Sequence, residues 1–448
     1  MRIAFTLMFF LFAFFYGQSQ DITPDNVSSY LSKYAIKSLS IKDLNQFTSD
    51  RFNWIIPFGD LKDRSATLYE NDLISPNYTA STIDKSLSSL NMPITYSGYL
   101  TDDPASSIRL TLYNGSLVGY IETVEGKFFI EPLKQTLKSI ALEHVMYREK
   151  DVSNLMTGLC AASQVHQKSS KIAIQPKDNE KSIGCRTYRI AIAMDYSYVD
   201  SNDGIEDAIA QSTAVMNMVA GDFDNAFNEE IRFQIVEHWA STCRFCDPWI
   251  LSNDAENLLR DFTDWAPTGF NSEHDLGQLW TNRDLFGIEL NGDISSGTIG
   301  VAWIDGTCNE RRYHVLENFS SLSWALRVLT THEIGHNFAA THDPEETTFI
   351  MSPEISNTTS WSGTSRNQIN AALTRHNCFS GCINDNCLDV VTITDPVVSE
   401  NIEARQLILS SGSTNINLNL TLSAPDVELS NFSVDNGVCL SIDNTGCN

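Results

Sequence analysis

Alternation of apolar and polar positions dominates the first third of the chain. Ile108-Arg109-Leu110-Thr111-Leu112-Tyr113 alternates, Asn114-Gly115 is a turn pair, and Leu117-Val118-Gly119-Tyr120-Ile121 resumes the apolar run, so a hairpin is expected there. Lys127-Phe128-Phe129-Ile130 extends the pattern, and residues 20 to about 145 read as a β-rich unit without a cysteine. Between residues 164 and 183 periodicity disappears and Lys168, Lys171, Lys177 and Lys181 gather around a proline, as in an exposed linker. Beyond it the period switches back and forth between two and 3.6. Residues 188–194, 233–239 and 297–303 read as strands, and 204–227 and 255–265 as helices. Strands alternating with helices predict an α/β domain with a mixed sheet. After Cys387 the texture becomes alternating Leu, Ile, Val and Asn, as in 416–422, which indicates a short β-rich tail.

Charge and composition narrow the function classes. Lys and Arg number 30 against 56 Asp and Glu, a formal net charge of −26, which repels nucleic acid and anionic membrane surfaces. Residues 1–19 combine an early Arg2, an apolar run over 3–16 and small residues at Gly17 and Ser19. This reads as a secretory signal peptide, because a membrane span needs roughly 20 apolar residues and no other stretch is long enough either. Ten cysteines behind such a leader suit an oxidising compartment. The expected organisation is therefore a leader (1–19), a β-rich region ending in a linker (20–184), an α/β domain (185–387) and a β-rich segment (388–448), the mature protein being secreted without stable membrane insertion.

The chemistry concentrates in Thr331-His332-Glu333-Ile334-Gly335-His336-Asn337-Phe338-Ala339-Ala340-Thr341-His342-Asp343. On a helix, His332 and His336 lie about 40° apart around the axis and about 6 Å along it, so both rings reach one ion. A catalytic zinc takes three protein ligands and leaves a position open, which makes His342 the natural third. A continuous helix would put His342 about 15 Å from His332 along the axis, so the helix must break between His336 and His342. Glu333 projects about 100° round the helix and can face a metal-activated water as general base. The apolar positions of 322–329 give the helix a buried face. The competing class is a secreted binding or adhesion protein that keeps the zinc-bearing scaffold without turnover.

On these residues the chain resembles the metzincin zinc peptidases, and within them the reprolysin or adamalysin type. Asp343 follows the third His, and Phe349-Ile350-Met351-Ser352-Pro353 is similar to the Met-turn of that family, which implies Met351 beneath the metal. Pro353 stands where the astacin type carries Tyr. Thr298-Ile299-Gly300-Val301-Ala302-Trp303 and Gly306-Thr307-Cys308 are similar to the family's edge strand and its cysteine. That likeness implies a protein or peptide substrate paired by β-addition along Gly300, Val301 and Ala302, and a Cys308–Cys378 bridge. Ala339 departs from the family's Gly, at the position where a left-handed turn ends the helix. Either Ala339 takes the strain, about 1–2 kcal/mol, or the break moves to Ala340 or Asn337.

The region before residue 185 resembles the family's propeptides through Tyr96-Ser97-Gly98-Tyr99-Leu100, Asp103-Pro104-Ala105-Ser106-Ser107 and Phe128-Phe129-Ile130-Glu131-Pro132. The resemblance implies a zymogen inhibited in cis, and Cys160 could place a thiolate on the open metal position as a latency switch; a disulfide partner or spare thiol is the alternative. Cys243/Cys246, Cys382/Cys387 and Cys439/Cys447 are close enough to pair locally, leaving Cys185 to Cys160 or free. Calcium stays open: Asp200, Asn202 and Asp203 have its ligand types, but solvated turns share that composition.

Overall fold

A computed structural model describes residues 22–39, 51–56, 63–84, 86–134, 142–153, 158–161, 185–227, 230–249, 251–288, 292–344, 347–356, 358, 360–381, 388–393, 401–410, 414–417, 419–424, 426–435 and 438–443. The leader and the 164–183 linker lie outside these residues.

The central sheet is built from five strands of the α/β region: β1 (Arg186–Met194), β2 (Ile231–Ala240), β3 (Leu276–Thr281), β4 (Thr298–Ala302) and β5 (Tyr313–Glu317). Their order is β4-β5-β3-β1-β2, all parallel except β4, which runs antiparallel to β5. Helices α1 (Ile205–Phe227), α2 (Ala255–Gly269), α3 (Ser323–Asn337) and α4 (Gly363–Leu373) complete the unit. Alternation along β1 shows why the sheet needs cover on both faces. Tyr188, Ile190, Ile192 and Met194 enter the core that holds α1 and α3, while Ala191 and Ala193 enter the one that holds α2.

Strands β3 and β5 were not foreseen from the sequence. Gly277, Gln278 and His314 interrupt their apolar runs, yet every residue of β3 is buried. Each interruption has a local reason. A Cβ on Gly277 would stand 2.3 Å from the Tyr313 ring, and Gln278 Oε1 meets His314 Nε2 at 3.3 Å inside the core.

Residues before 162 form an eight-stranded sheet of antiparallel pairs, including the expected hairpin with Asn114 and Gly115 at positive φ. Two further segments leave that sheet and join the central one. Ile74–Ser81 pairs parallel to β2, and Leu159–Cys160 pairs parallel to β4, so both edges of the five strands are covered. The tail has its own small core around Ile408, Ile416 and Leu422. Its strands run parallel, with Leu420 opposite Leu440.

The disulfides differ in part from expectation. Cys243–Cys246 and Cys308–Cys378 are bonded. Cys185 is bonded, and not to Cys160, whose buried thiol is outside the disulfides. Cys439 is free and exposed, so the expected Cys439–Cys447 bridge is not made; its backbone N–H is held by Asn419 Oδ1 at 2.9 Å, within the strand stack. Cys382 and Cys387 lie outside the described residues.

Candidate metal centre

Helix α3 is buried from Trp324 to Asn337, so every polar group on it needs a partner. Thr330 and Thr331 donate to Leu326 O and Asp222 Oδ2, and Arg327 donates to Asp222 and to Thr358 O. Glu333 is the exception among the carboxylates, since neither of its oxygens has a hydrogen-bond partner.

The helix stops after Asn337 in a Schellman arrangement. Ala340 N–H donates to Gly335 O and Ala339 N–H to His336 O, both at 2.9 Å, with Ala339 at φ 73°. Of the alternatives left by the missing Gly, the chain adopts the first: Ala339 takes the left-handed position itself. Asn337 ties this end to the sheet through Trp303 O, Tyr313 O and His314 Nδ1, at 2.9, 3.2 and 2.7 Å. The chain then turns back and delivers His342.

The three rings converge. Nε2 of His332 lies 3.0 Å from that of His336 and 3.3 Å from that of His342, and the His336–His342 pair is 3.2 Å apart. Carbonyl oxygens fix the tautomers of two of them. His332 Nδ1 donates to Ile350 O at 2.6 Å and His336 Nδ1 to Ala340 O at 2.7 Å, which leaves both Nε2 lone pairs pointing at the shared space. Burial pushes His332 down to about 3, with His342 adding to the effect, and pushes His342 down to about 4. The His332 and His342 rings are therefore neutral at pH 7.

Cys160 Sγ lies 3.4 Å from His336 Nε2, and the four donor atoms fall within 4.8 Å of one another. A tetrahedral zinc with nitrogen at about 2.05 Å and sulfur at about 2.3 Å has edges of roughly 3.3 Å for N···N and 3.6 Å for N···S. The residues fit that ion: lone pairs this close repel unless a cation lies between them. Among the described residues this is the only such grouping. Asp200, Asn202 and Asp203 instead bond Tyr196 OH, Tyr198 O and Lys134 Nζ separately.

Glu333 sits beside the cluster and against β4, where a Cβ on Gly300 would stand 2.4 Å from its Oε1. Burial pushes its carboxyl up to about 8; the nearby Cys160 thiol pulls the other way but does not reach hydrogen-bond geometry. Met351 is buried under the helix, its Sδ 2.6 Å from where a Cβ on Gly335 would be, so only Gly fits between the two ligands. Asp343 accepts from Ser362 Oγ at 2.6 Å and Ser365 Oγ at 3.2 Å, fastening the start of α4.

Gly300, Val301 and Ala302 pair with β5 on one side, and the other edge of β4 receives residues 159–161. Leu159 N–H donates to Gly297 O at 2.8 Å and Ala161 N–H to Gly300 O at 3.1 Å, while Cys160 N–H reaches Pro353 O at 3.1 Å across the cleft. The opposite wall at 353–355 adjoins the Met-turn, whereas the close approach of Gly158, two residues before Cys160, was missed in the sequence. Gly158 was readable as a close-approach position, since a Cβ there would meet Ile299 at 2.4 Å.

Two buried histidines on a helix behind a mixed sheet, a half-buried third delivered past the helix end and an adjacent buried carboxylate make a metallopeptidase-type site. Residues 184–374 match Metallo-peptidase family M12 in its reprolysin form, which supports a reprolysin-type metallopeptidase domain over that stretch. It is 24% identical over 298 residues to the mouse protein "A disintegrin and metalloproteinase with thrombospondin motifs 19", covering 60% of this chain and 24% of that one. The human protein of the same name is 24% identical over 277 residues, 55% of this chain and 22% of its own length. The chain thus spans about a quarter of the relatives it matches.

Proposed function

We propose that the chain is the latent precursor of a secreted zinc endopeptidase that hydrolyses peptide bonds with Glu333 as general base. The observation that carries this reading is the convergence of three Nε2 atoms within 3.3 Å beside a buried carboxylate with no hydrogen-bond partner. His332, His336 and His342 would hold zinc, which supplies Lewis acidity toward the scissile carbonyl and lowers the pKa of water to about 7. Glu333 takes the proton of the attacking water and hands it to the leaving amine, a role open to a carboxyl whose two oxygens accept no other hydrogen bond. The β4 edge orients an extended protein or peptide substrate through its backbone at Gly300 to Ala302. Residues 20–184 serve as propeptide, with Cys160 filling the ligand position that water needs and Leu159–Cys160 filling the strand position that substrate needs. Export is supported by the leader at 1–19 and by the disulfides; among the described residues no helix is long and apolar enough to cross a membrane.

The test is zinc analysis together with a peptide-cleavage assay on protein freed of residues 1–184. Wild type should bind one zinc and cleave, whereas Glu333→Ala should keep the zinc and lose turnover by at least about a hundredfold. A wild type that binds zinc and cleaves nothing would favour the non-catalytic adhesion reading.

A further inference from the structure

The face of the catalytic region that meets residues 22–161 is built like a protein interior. Along the propeptide strands, alternate side chains divide between two cores. Ile121, Phe128 and Ile130 pack within the propeptide sheet, whereas Tyr120, Phe129 and Tyr147 share one cluster with Val219, Leu322 and Trp324 of the catalytic region. Gly221 of α1 permits the close approach, since a Cβ there would stand 2.0 Å from Tyr120 Oη.

Buried charge crosses the same face. Asp222 on α1 accepts from Lys127 Nζ of the propeptide at 2.8 Å and from Arg327 Nη1 of α3 at 2.5 Å, while Arg327 Nη2 reaches the propeptide's Glu149 at 3.3 Å. Helix α3 also begins without a cap of its own, because its N-cap residue is Leu322. The propeptide provides one: Glu131 Oε2 accepts from Ser323 N and Ser323 Oγ, each at 2.8 Å, and Tyr147 OH holds the other oxygen. The helix that carries the histidines is thus capped by a carboxylate from 192 residues upstream.

We propose that this face is a lasting docking surface for the propeptide, with Glu131 and Lys127 as its polar anchors, so that cutting the chain within 162–184 leaves a non-covalent complex instead of releasing the enzyme. Separation would bare Leu322 and Trp324, uncap α3 and take a buried cation from Asp222, costs of the kind that hold permanent interfaces together. Cys160 then blocks the metal position, while the Glu131 and Lys127 contacts set how long the block lasts after cleavage. This rests on the reading of residues 20–184 as an inhibitory propeptide.

The experiment is to cut full-length protein within 162–184 with an added protease and follow the two pieces by size-exclusion chromatography through a dilution series. They should co-elute at micromolar concentration, and the dissociation constant should rise at least about tenfold in Glu131→Ala and in Lys127→Met, with Cys160→Ser shifting it less than either. Zinc content and circular dichroism of the uncut variants establish that each folds. Wild-type pieces that separate at micromolar concentration, or anchor variants with an unchanged dissociation constant, overturn the proposal. Because co-elution does not depend on turnover, an inactive chain whose pieces stay together refutes the peptidase reading alone. An active chain whose pieces part refutes this inference alone.

Discussion

Gly300 and Ala339 carry opposite constraints, and each yields a prediction. A methyl group at residue 300 would stand 2.4 Å from Glu333 Oε1 and 2.7 Å from Leu329 Cδ1, so the carboxyl, as the movable partner, must turn away. Gly300→Ala should therefore lower peptide cleavage by about tenfold or more while zinc stays bound, because a misplaced base costs rate without costing ligands. Ala339 holds φ at 73°, in the region that disfavours a Cβ. Ala339→Gly relieves about 1–2 kcal/mol of strain, and the extra freedom of an unfolded Gly returns about 0.4–1 kcal/mol of that. A net gain of about 0.5–1 kcal/mol should appear as a higher urea midpoint with an unchanged m-value.

The active-site helix shows which structural features the sequence carries. The spacing of His332 and His336 and the need for a break before His342 are local properties of consecutive residues, and they were readable; the position of the break was narrowed only to Ala339, Ala340 or Asn337, and the structure puts it at Ala339. Its other attachments join residues far apart in sequence. Asn337 bonds Trp303 O, Tyr313 O and His314, and Glu131 caps Ser323; no periodicity announces either contact. Strands β3 and β5 were hidden for a related reason, since their polar residues satisfy one another only after the sheet forms. Asn337→Ala tests how much the distant clamp matters. It leaves Trp303 O, Tyr313 O and the His314 ring short of a partner, and should cost about 2–4 kcal/mol in urea unfolding. Zinc affinity should fall as well, because His336 is the preceding residue.

At the scale of the molecule, the central sheet is finished at both edges by strands from before residue 162, which gives the full chain a pH response. Where Ile74–Ser81 lies along β2, His238 is buried between Tyr78 OH at 2.9 Å and Ser212 Oγ at 3.1 Å. Burial pushes its imidazole down to about 3. In the unfolded chain the same ring has a pKa near 6.5, so below that pH the unfolded state binds the proton that the folded state refuses. The contribution is complete above about pH 7 and is lost as pH falls from about 6.5 toward 3. At pH 5 a shift of this size amounts to about 2 kcal/mol. His314, pushed down to about 4 by burial, acts in the same direction from β5, farther along the same face of the sheet. In the presence of a chelator, so that metal release does not contribute, the urea-unfolding free energy of the full chain should be smaller at pH 5 than at pH 7.5. In His238→Gln that difference should shrink by about 2 kcal/mol. An unchanged difference would mean that the ring is already protonated, or already exposed, in the folded chain, and that the β2 edge is not sealed by Ile74–Ser81.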